Sequence, residues 1–190
     1  MEIRPATTAD LDGLYRLAQS FDALGTQPTA PRAAYEDRMC DLLSDANHLV
    51  LLAVEDAAEA GYALAQDYGA NPRRQFTVGR LHDLFVVPER RRHGIARLLM
   101  AGVTEWCRRR SLPMILDWQA RLEAVPFYES LGFVADHIGD QREFPGFCLD
   151  LRDGSAGRDV RATRDAPATR DARATRDIHG RTRDVPATPE

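Results

Sequence analysis

The stretch VVPERRRHGIARLLM, residues 86–100, joins an apolar run to an amphipathic helix through four consecutive basic side chains. Pro88 closes the apolar run, and Gly94 precedes the first residue with helical spacing. A helix N-terminus presents backbone N–H groups without intrahelical partners, and phosphate is stabilised there. Glycine also lets an anion approach the backbone closely. The basic run therefore leaves three interpretations: a solvated surface, a nucleic-acid contact or a phosphate cradle.

Charge and length narrow these interpretations. The chain has 190 residues and a formal net charge of −4, and all 25 of its basic residues are arginine. Nine arginines and seven acids fall in the last forty residues, so residues 1–150 have sixteen basic and twenty-two acidic side chains. A net acidic body argues against general nucleic-acid binding and is compatible with a cationic substrate.

The cysteines, the N-terminus and the hydropathy pattern predict a cytoplasmic protein. Three widely spaced cysteines without a CxxC pair favour neither a disulfide framework nor a zinc site. MEIRPATTAD, residues 1–10, has no apolar signal core, and no apolar run approaches membrane-spanning length. We expect no bound metal, no nucleic-acid partner and no membrane contact, and a homodimer is left open.

A change in composition divides the chain after residue 152. Residues 153–190 are rich in Ala, Thr, Arg, Asp and Pro, and Thr-Arg-Asp occurs four times. Such a segment has too few large apolar residues to offset its ordering entropy, and its repeat is too short for a solenoid. We predict a disordered low-complexity tail at 153–190 and one domain at 1–152, which is long enough to bury a sizeable core.

Strand and helix patterns alternate over the predicted domain. This order predicts an α/β (mixed α+β) fold in which a mixed sheet is flanked by helices. Gly132 is expected to cap the last helix in a left-handed conformation. The predicted strands are 2–5, 49–54, 61–68, 81–87, 114–118, 133–134 and 146–151, and the predicted helices start near Thr8 and Tyr35 and cover 95–106 and 122–131.

Three blocks of the sequence together resemble one known family. Arg91-x-x-Gly94-x-Ala96 matches the signature Arg/Gln-x-x-Gly-x-Gly/Ala, IRPAT at 3–7 is similar to an opening strand, and FYESLGF at 127–133 to a late helix and the strand after it. These blocks resemble the GNAT superfamily of acetyl-CoA-dependent N-acetyltransferases over about residues 2–151. The resemblance implies a mostly antiparallel sheet and acetyl-CoA as the acetyl-donor cosubstrate.

Two other phosphate-binding signatures do not fit. A P-loop requires a lysine, and the chain has none. A dinucleotide fingerprint requires G-x-G-x-x-G, whereas residues 86–100 hold one glycine.

The resemblance implies that the strand before the signature pairs with the pantetheine arm, in a gap where two central strands splay apart. Backbone amides from Arg92 to Arg97 would wrap the pyrophosphate, assisted by the arginines. Arg121 stands where many members have an asparagine that helps hold CoA, and an arginine there could reach a phosphate. The residues implied in CoA binding are Leu84, Phe85, Val86, Arg91, Arg92, His93, Gly94, Ile95, Ala96 and Arg97.

Tyr128, Asp83 and His82 are the candidates for the chemistry. Tyr128 corresponds to the tyrosine that often protonates the leaving CoA thiolate in the family. An alkyl amine is mostly protonated at pH 7 and must lose a proton before it attacks. Asp83, and after it His82, could bind the amine or accept this proton, and strand alternation predicts that they face opposite sides, so that one reaches the substrate. Pro126 is predicted to delay or bend the late helix.

The resulting hypothesis is an N-acetyltransferase acting on an amine of a small molecule or peptide by direct attack in a ternary complex. No cysteine lies in the motifs, so no covalent acyl-enzyme is needed. The expected acceptor segments, 22–31 and 69–80, have no motif that names a substrate. One alternative is a non-catalytic CoA-binding sensor or partner module. A nucleic-acid binder using residues 90–92 would predict interleaved aromatics or a broader basic face, and neither is present.

Overall fold

The computed structural model describes residues 1–25, 28–70, 72–136 and 144–152. The predicted tail, 153–190, lies outside the described residues, and the domain boundary stays a prediction. None of the helices in the described ranges is long and apolar enough to cross a membrane. The elements are β1 (Glu2–Pro5), α1 (Leu11–Asp22), α2 (Arg32–Ser44), β2 (His48–Glu55), β3 (Ala58–Ala70), β4 (Thr77–Val86), α3 (Ile95–Arg108), β5 (Met114–Gln119), α4 (Val125–Glu129) and β6 (Gly146–Asp150).

The six strands form one sheet in chain order, β1 to β6. Every neighbouring pair is antiparallel except β4 and β5, which are parallel. A parallel pair needs a crossover connection, and α3 supplies it. The predicted mixed, mostly antiparallel sheet flanked by helices is therefore confirmed.

The two faces of the sheet have separate cores because strand side chains alternate. On one face, α1 and α2 pack on β2 and β3 through a cluster that includes Leu14, Leu52 and Tyr62. On the other face, α3 packs on the centre of the sheet through a cluster that includes Leu99 and Trp118. We call these the α1/α2 face and the α3 face.

The pairing between β4 and β5 ends halfway along β4. It runs from Thr77 opposite Met114 to Arg80 opposite Asp117, although β4 continues to Val86. The second half of β4 therefore has no strand partner on its β5 side. This opening is the predicted gap between two central strands.

A β-bulge in β4 lies where this pairing ends. Leu64 of β3 is opposite Asp83, but the next residue, Ala65, is opposite Leu81, so His82 is an extra residue in β4. A bulge bends its strand and increases the local twist. We infer that this bend directs the second half of β4 away from β5.

Three predicted boundaries are wrong. β4 starts at Thr77 rather than at residue 81, because its first half gains pairing with β5, so residues 77–80 belong to the sheet and not to an acceptor loop. Residues 133–134 form no strand, since Phe133 instead packs edge-on against Trp118, 5.0 Å between ring centroids. The late helix is short: a 3-10 turn at Leu122–Ala124 precedes α4, which starts at Val125.

Candidate active site

Six consecutive backbone amides at the start of α3 lack protein acceptors among the described residues. The amide of Arg91 donates to the Pro88 carbonyl at 3.2 Å, and the next one to donate is that of Leu98, to the Gly94 carbonyl at 3.1 Å. The amides of Arg92–Arg97 lie between these two. Unpaired N–H groups at a helix N-terminus are the donors that an anionic phosphate requires.

Left-handed backbone at two positions shapes this loop. Arg92 has φ +70° and Gly94 has φ +81°. A Cβ built on Gly94 would meet no protein atom within 4 Å, so a ligand can approach the backbone on that side. Ile95, 1% exposed, fixes the helix start in the α3-face core, and Ala96 packs against the same core. We call residues Arg92–Arg97 the amide cradle.

Two arginines of the basic run are held by the protein itself. Arg90 donates to Glu55 at 2.9 Å and to Asp56 at 3.3 Å, both at the turn between β2 and β3. Arg91 donates through Nε to the Val86 carbonyl at 3.1 Å. These two side chains therefore fix the loop to the sheet.

The other basic side chains of the loop point to solvent. Arg92, His93 and Arg97 are exposed, and no described residue pairs with them. Their guanidinium and imidazole groups are available for charge-assisted contacts to phosphate.

Of the three β4 residues predicted to pair with the pantetheine arm, two direct their backbone groups toward the gap. The amide of Val87 donates to the Ala60 carbonyl of β3 at 3.0 Å. Because alternate residues of a strand direct their backbone groups to opposite edges, Phe85 also faces β3, whereas Leu84 and Val86 face the gap. Leu84 and Val86 therefore remain candidates for pairing with an extended ligand. Phe85 fills the α1/α2-face core instead, 3% exposed.

Tyr128 lies in α4 on the α3 face and is 5% exposed. Its ring centroid is 5.4 Å from that of Trp118 and 4.9 Å from that of Phe147. No described residue hydrogen-bonds to its hydroxyl. Burial raises the pKa of Tyr128, which keeps the phenol protonated at neutral pH. Of the two predicted effects of Pro126, the delayed start is confirmed, because α4 starts at Val125. The helix needs no bend, since a proline in the first turn leaves no hydrogen bond unmade.

Asp83 is half-buried in β4 and contacts the neighbouring strand. Its Oδ2 accepts a hydrogen bond from the Tyr62 hydroxyl at 3.1 Å. Loss of hydration raises the pKa of Asp83, and the Tyr62 hydrogen bond opposes this shift. The nearby carboxylate of Asp22, the last residue of α1, raises the pKa of Asp83 further. Both carboxylates favour a cation at this position.

His82 contacts Gln66 of β3, with 3.0 Å between the His82 Nε2 and the Gln66 Oε1. Partial burial of the imidazole lowers the pKa of His82, and the charges of Arg80 and His48 lower it further. At neutral pH the ring is therefore neutral and carries one unprotonated nitrogen.

The prediction that His82 and Asp83 face opposite sides of the sheet is wrong. Their partners Gln66 and Tyr62 are four residues apart on β3 and therefore share the α1/α2 face. The bulge is the physical reason, because the extra residue His82 breaks the alternation immediately before Asp83. Both side chains thus reach the same face.

A family model described as an acetyltransferase (GNAT) domain matches residues 19–149. This chain belongs to the GNAT acetyltransferase family. It is an acyltransferase, and GNAT acetyltransferases use acetyl-CoA as their cosubstrate.

Individual proteins agree with this family assignment. An uncharacterized N-acetyltransferase of Archaeoglobus fulgidus is 29% identical over 133 residues, which are 68% of this chain and 90% of that protein. An aminoglycoside antibiotic 6′-N-acetyltransferase from Acinetobacter haemolyticus superposes with a TM-score of 0.55 at 27% identity, over 70% of this chain and 91% of that one. The ribosomal-protein-alanine N-acetyltransferase of Brucella melitensis shares the fold, with a TM-score of 0.58 at 20% identity, over 80% of this chain and 100% of that one.

At the position where many GNAT proteins have asparagine, Arg121 is held by the protein. Its Nη1 donates to the Leu24 carbonyl, just after α1, at 2.6 Å, and lies 3.9 Å from Glu123. The guanidinium thus ties the start of the late helical segment to the end of α1. Its predicted phosphate contact finds no support in this arrangement.

Sequence reasoning missed the residues of the GNAT domain that surround Asp83 and His82. Tyr62 and Gln66 follow the side-chain alternation expected of β3, but alternation does not identify their partners on β4. Those partners depend on the register between β3 and β4 and on the bulge at His82. Tyr35 of α2 lies close enough to Asp83 and Asp22 that both carboxylates raise the pKa of its phenol, after burial as the main cause. No sequence signal places α2 next to β4.

Proposed function

We propose that this GNAT acetyltransferase transfers the acetyl group of acetyl-CoA to an amine of a small molecule or peptide, by direct attack in a ternary complex. The observation that carries the proposal is the amide cradle of Arg92–Arg97, with six unpaired N–H groups directly after the half of β4 that has no strand partner on its β5 side. A diphosphate followed by an extended arm requires this order of donors.

The described residues have the groups that binding of acetyl-CoA, the acetyl donor, requires. The amide cradle would hold the pyrophosphate, with Arg92 and Arg97 adding charge. Leu84 and Val86 would pair with the pantetheine arm in the gap and direct the thioester toward Tyr128. The open space beside Gly94 is consistent with this fit, because a Cβ there would occupy the approach to the backbone.

The acceptor would reach the thioester from the α1/α2 face. Asp83, supported by Asp22, attracts an ammonium group, and the partly exposed ring of Tyr35 lies near both carboxylates, where it can contact that cation. His82 on the same face is neutral at pH 7 and can accept a proton from that ammonium. The bulge places both functions, attraction of the cation and removal of its proton, beside one another.

The transfer itself conserves atoms and charge. The base on the α1/α2 face first takes one proton from the bound ammonium and passes it to solvent. The neutral amine nitrogen then attacks the thioester carbonyl carbon, and the nitrogen loses a second proton to the same base. The tetrahedral intermediate then collapses: the C–S bond breaks, and the phenol of Tyr128 donates a proton to the leaving sulfur. Solvent returns that proton to Tyr128. No cysteine lies in the motifs, so no covalent acyl-enzyme is needed, and in the proposed mechanism the amine and acetyl-CoA are bound together.

The test measures CoA binding and thiol release with one preparation of the full chain. We expect CoA to raise the melting temperature, and thiol release from acetyl-CoA to depend on an amine in a panel of polyamines, amino acids, aminoglycosides and peptide N-termini. Stabilisation by CoA without release for any amine would instead support a non-catalytic CoA-binding module. Binding to random duplex DNA without any effect of CoA would refute the proposal altogether.

A further inference from the structure

His82 and Gln66 form a side-chain contact that is a hydrogen bond in one tautomer of the imidazole and not in the other. The two facing atoms, Nε2 of His82 and Oε1 of Gln66, are 3.0 Å apart. With Oε1 facing the ring, the contact is a hydrogen bond when Nε2 carries the proton, because an amide oxygen only accepts hydrogen bonds. In the neutral ring the lone pair then lies on Nδ1.

The sheet holds this pair in register. Gln66 is opposite Arg80 on one side and opposite His48 on the other, so its backbone belongs to the centre of the sheet. The bulge at His82 turns the imidazole toward the same face as the Gln66 side chain. A strand without the bulge would place alternate side chains on opposite faces, and this contact would not form.

A neutral hydrogen-bond partner and a charged one have different effects on the protonation of a histidine. His48 provides a comparison within the same chain, because its partner is a carboxylate: its Nδ1 lies 2.7 Å from Asp45 Oδ2. A carboxylate stabilises the charged imidazolium form of a histidine, whereas a neutral amide does not. Gln66 orients His82 without this effect, so the ring stays neutral and able to accept a proton.

The other charged groups around His82 come from three strands. Most are themselves paired, and the two that influence His82 most, Arg80 and His48, disfavour its protonation. Arg80 lies 3.6 Å from Asp117 of β5, and Asp83 is bonded to Tyr62. Arg80 on β4 and His48 on β2 are the charges that act on His82, and their acidic partners are Asp117 on β5 and Asp45 just before β2.

We propose that Gln66 is a positioning residue that holds His82 in the Nε2–H tautomer, so that Nδ1 is the general base for the acceptor amine. The inference rests on the proposed function. The proton leaves the ammonium nitrogen and bonds to Nδ1, which gives an imidazolium. Nε2–H continues to donate to Gln66 throughout, and the proton on Nδ1 then passes to solvent.

The tautomer can be measured without any substrate. Long-range ¹H–¹⁵N correlation of the labelled full chain distinguishes protonated Nε2 from protonated Nδ1 in each histidine. We expect His82 in the Nε2–H form in the wild type and in Gln66→Glu, and a mixture of both forms in Gln66→Leu. An Nδ1–H form of His82 in the wild type would overturn the proposal.

The pH dependence of kcat/KM tests the catalytic consequence. In Gln66→Glu a carboxylate faces the imidazole, so the pKa of His82 rises and the acidic limb of the profile moves up by about one pH unit. In Gln66→Leu, kcat falls by about two- to tenfold, because only molecules with Nδ1 unprotonated can react, while KM for acetyl-CoA is unchanged.

Gln119→Glu is the matched control. Gln119 accepts a hydrogen bond from Arg80 at 3.3 Å, so this variant adds the same charge beside Arg80 and not at the side chain that contacts His82. We expect its acidic limb to move much less than that of Gln66→Glu. Equal shifts in the two variants, or no shift in Gln66→Glu, would overturn the positioning role.

The two proposals fail in different ways. If the wild type stabilises with CoA but releases no thiol with any amine, the proposed function fails, whatever the tautomer of His82. If the wild type is active and His82→Ala keeps both its rate and its acidic limb, acetyl transfer stands and Gln66 has no base to position. Stabilisation by CoA in every variant serves as the check on folding.

Discussion

Gly94 is the residue on which the amide cradle depends most directly. Its φ of +81° disfavours any side chain, and the space next to its Cα is where a phosphate would approach. We predict that Gly94→Val raises KM for acetyl-CoA at least about tenfold and lowers the free energy of unfolding by ~1–2 kcal/mol through backbone strain. Steady-state kinetics and urea unfolding measure the two effects.

Gly69 supplies a control for strain alone. It has φ +84°, and a Cβ there would also meet no atom within 4 Å, but it lies near the end of β3, outside the amide cradle. Gly69→Val should therefore show a similar loss of stability with an unchanged KM for acetyl-CoA. A similar rise of KM in both variants would mean that strain, and not the blocked approach, explains the effect.

Tyr128→Phe tests the proton donor. A thiolate is a tolerable leaving group, so we expect kcat to fall by about ten- to a hundredfold without loss of all activity. The melting temperature should change little, because no described residue hydrogen-bonds to the hydroxyl. Tyr68→Phe, at a side chain 53% exposed, is the control and should leave kcat unchanged. An unchanged kcat in Tyr128→Phe at saturating substrates would exclude Tyr128 as the acid.

At the scale of elements, the turn between β2 and β3 is strained. Glu55 is opposite Ala58, so Asp56 and Ala57 form a two-residue turn with φ of +54° and +62°. Turns of this kind prefer glycine at the second position, where alanine is disfavoured. We predict that Ala57→Gly raises the free energy of unfolding by ~0.5–1 kcal/mol, measured by chemical denaturation. A lower stability would show that the unfolded-state entropy of glycine outweighs the relief of strain.

The start of α1 depends on a carboxylate with a low pKa. Asp10 accepts two hydrogen bonds from the Arg4 guanidinium and one from the Thr7 amide, and the Arg4 contact is the main cause that lowers the pKa of Asp10. Thr7, one residue before the predicted cap, begins this turn. A lowered folded-state pKa contributes stability that is present above the unfolded pKa and lost as pH falls below it.

Asp10→Asn should therefore cost about 1 kcal/mol at pH 7. Its difference from the wild type should shrink as the pH falls below about 4, because the Asp10 carboxyl of the unfolded wild-type chain begins to protonate there while the folded chain keeps it ionised. Glu129→Gln, the same change of charge at an exposed position, should have a small effect at both values. Urea unfolding at pH 7 and pH 3.5 measures the difference, and a cost that does not depend on pH would contradict the role of the ion pair.

The sequence predicts some elements better than others, for physical reasons. The unpaired N–H groups at Arg92–Arg97 follow from three local signals: the end of a strand, a glycine and the apolar stripe of a helix. The amide cradle is therefore predictable from the sequence. Gly132, with φ +89°, is predictable for the same reason. The bulge at His82 has no glycine or proline to mark it and arises from the register between β3 and β4. The common face of His82 and Asp83 is a consequence of that register, so strand alternation alone predicts it incorrectly.

At the scale of the whole molecule, the sequence predicts separate roles for the acidic domain at 1–152 and the repetitive segment at 153–190. The sequence predicts that residues 153–190 contribute no core, because they contain almost no large apolar side chain. A chain ending at Arg152 should keep its melting temperature and its kcat/KM for acetyl-CoA close to those of the full chain. A large fall in either quantity would show that the segment takes part in folding or catalysis.

The central claim is direct transfer in a ternary complex, and two-substrate kinetics tests it most directly. Initial rates of thiol release are measured over a grid of acetyl-CoA and amine concentrations with the best acceptor of the panel. Direct attack requires both substrates to be bound together, so double-reciprocal plots should intersect. Parallel plots, together with thiol release in the absence of amine and an acetylated protein, would indicate a covalent acyl-enzyme and contradict the account.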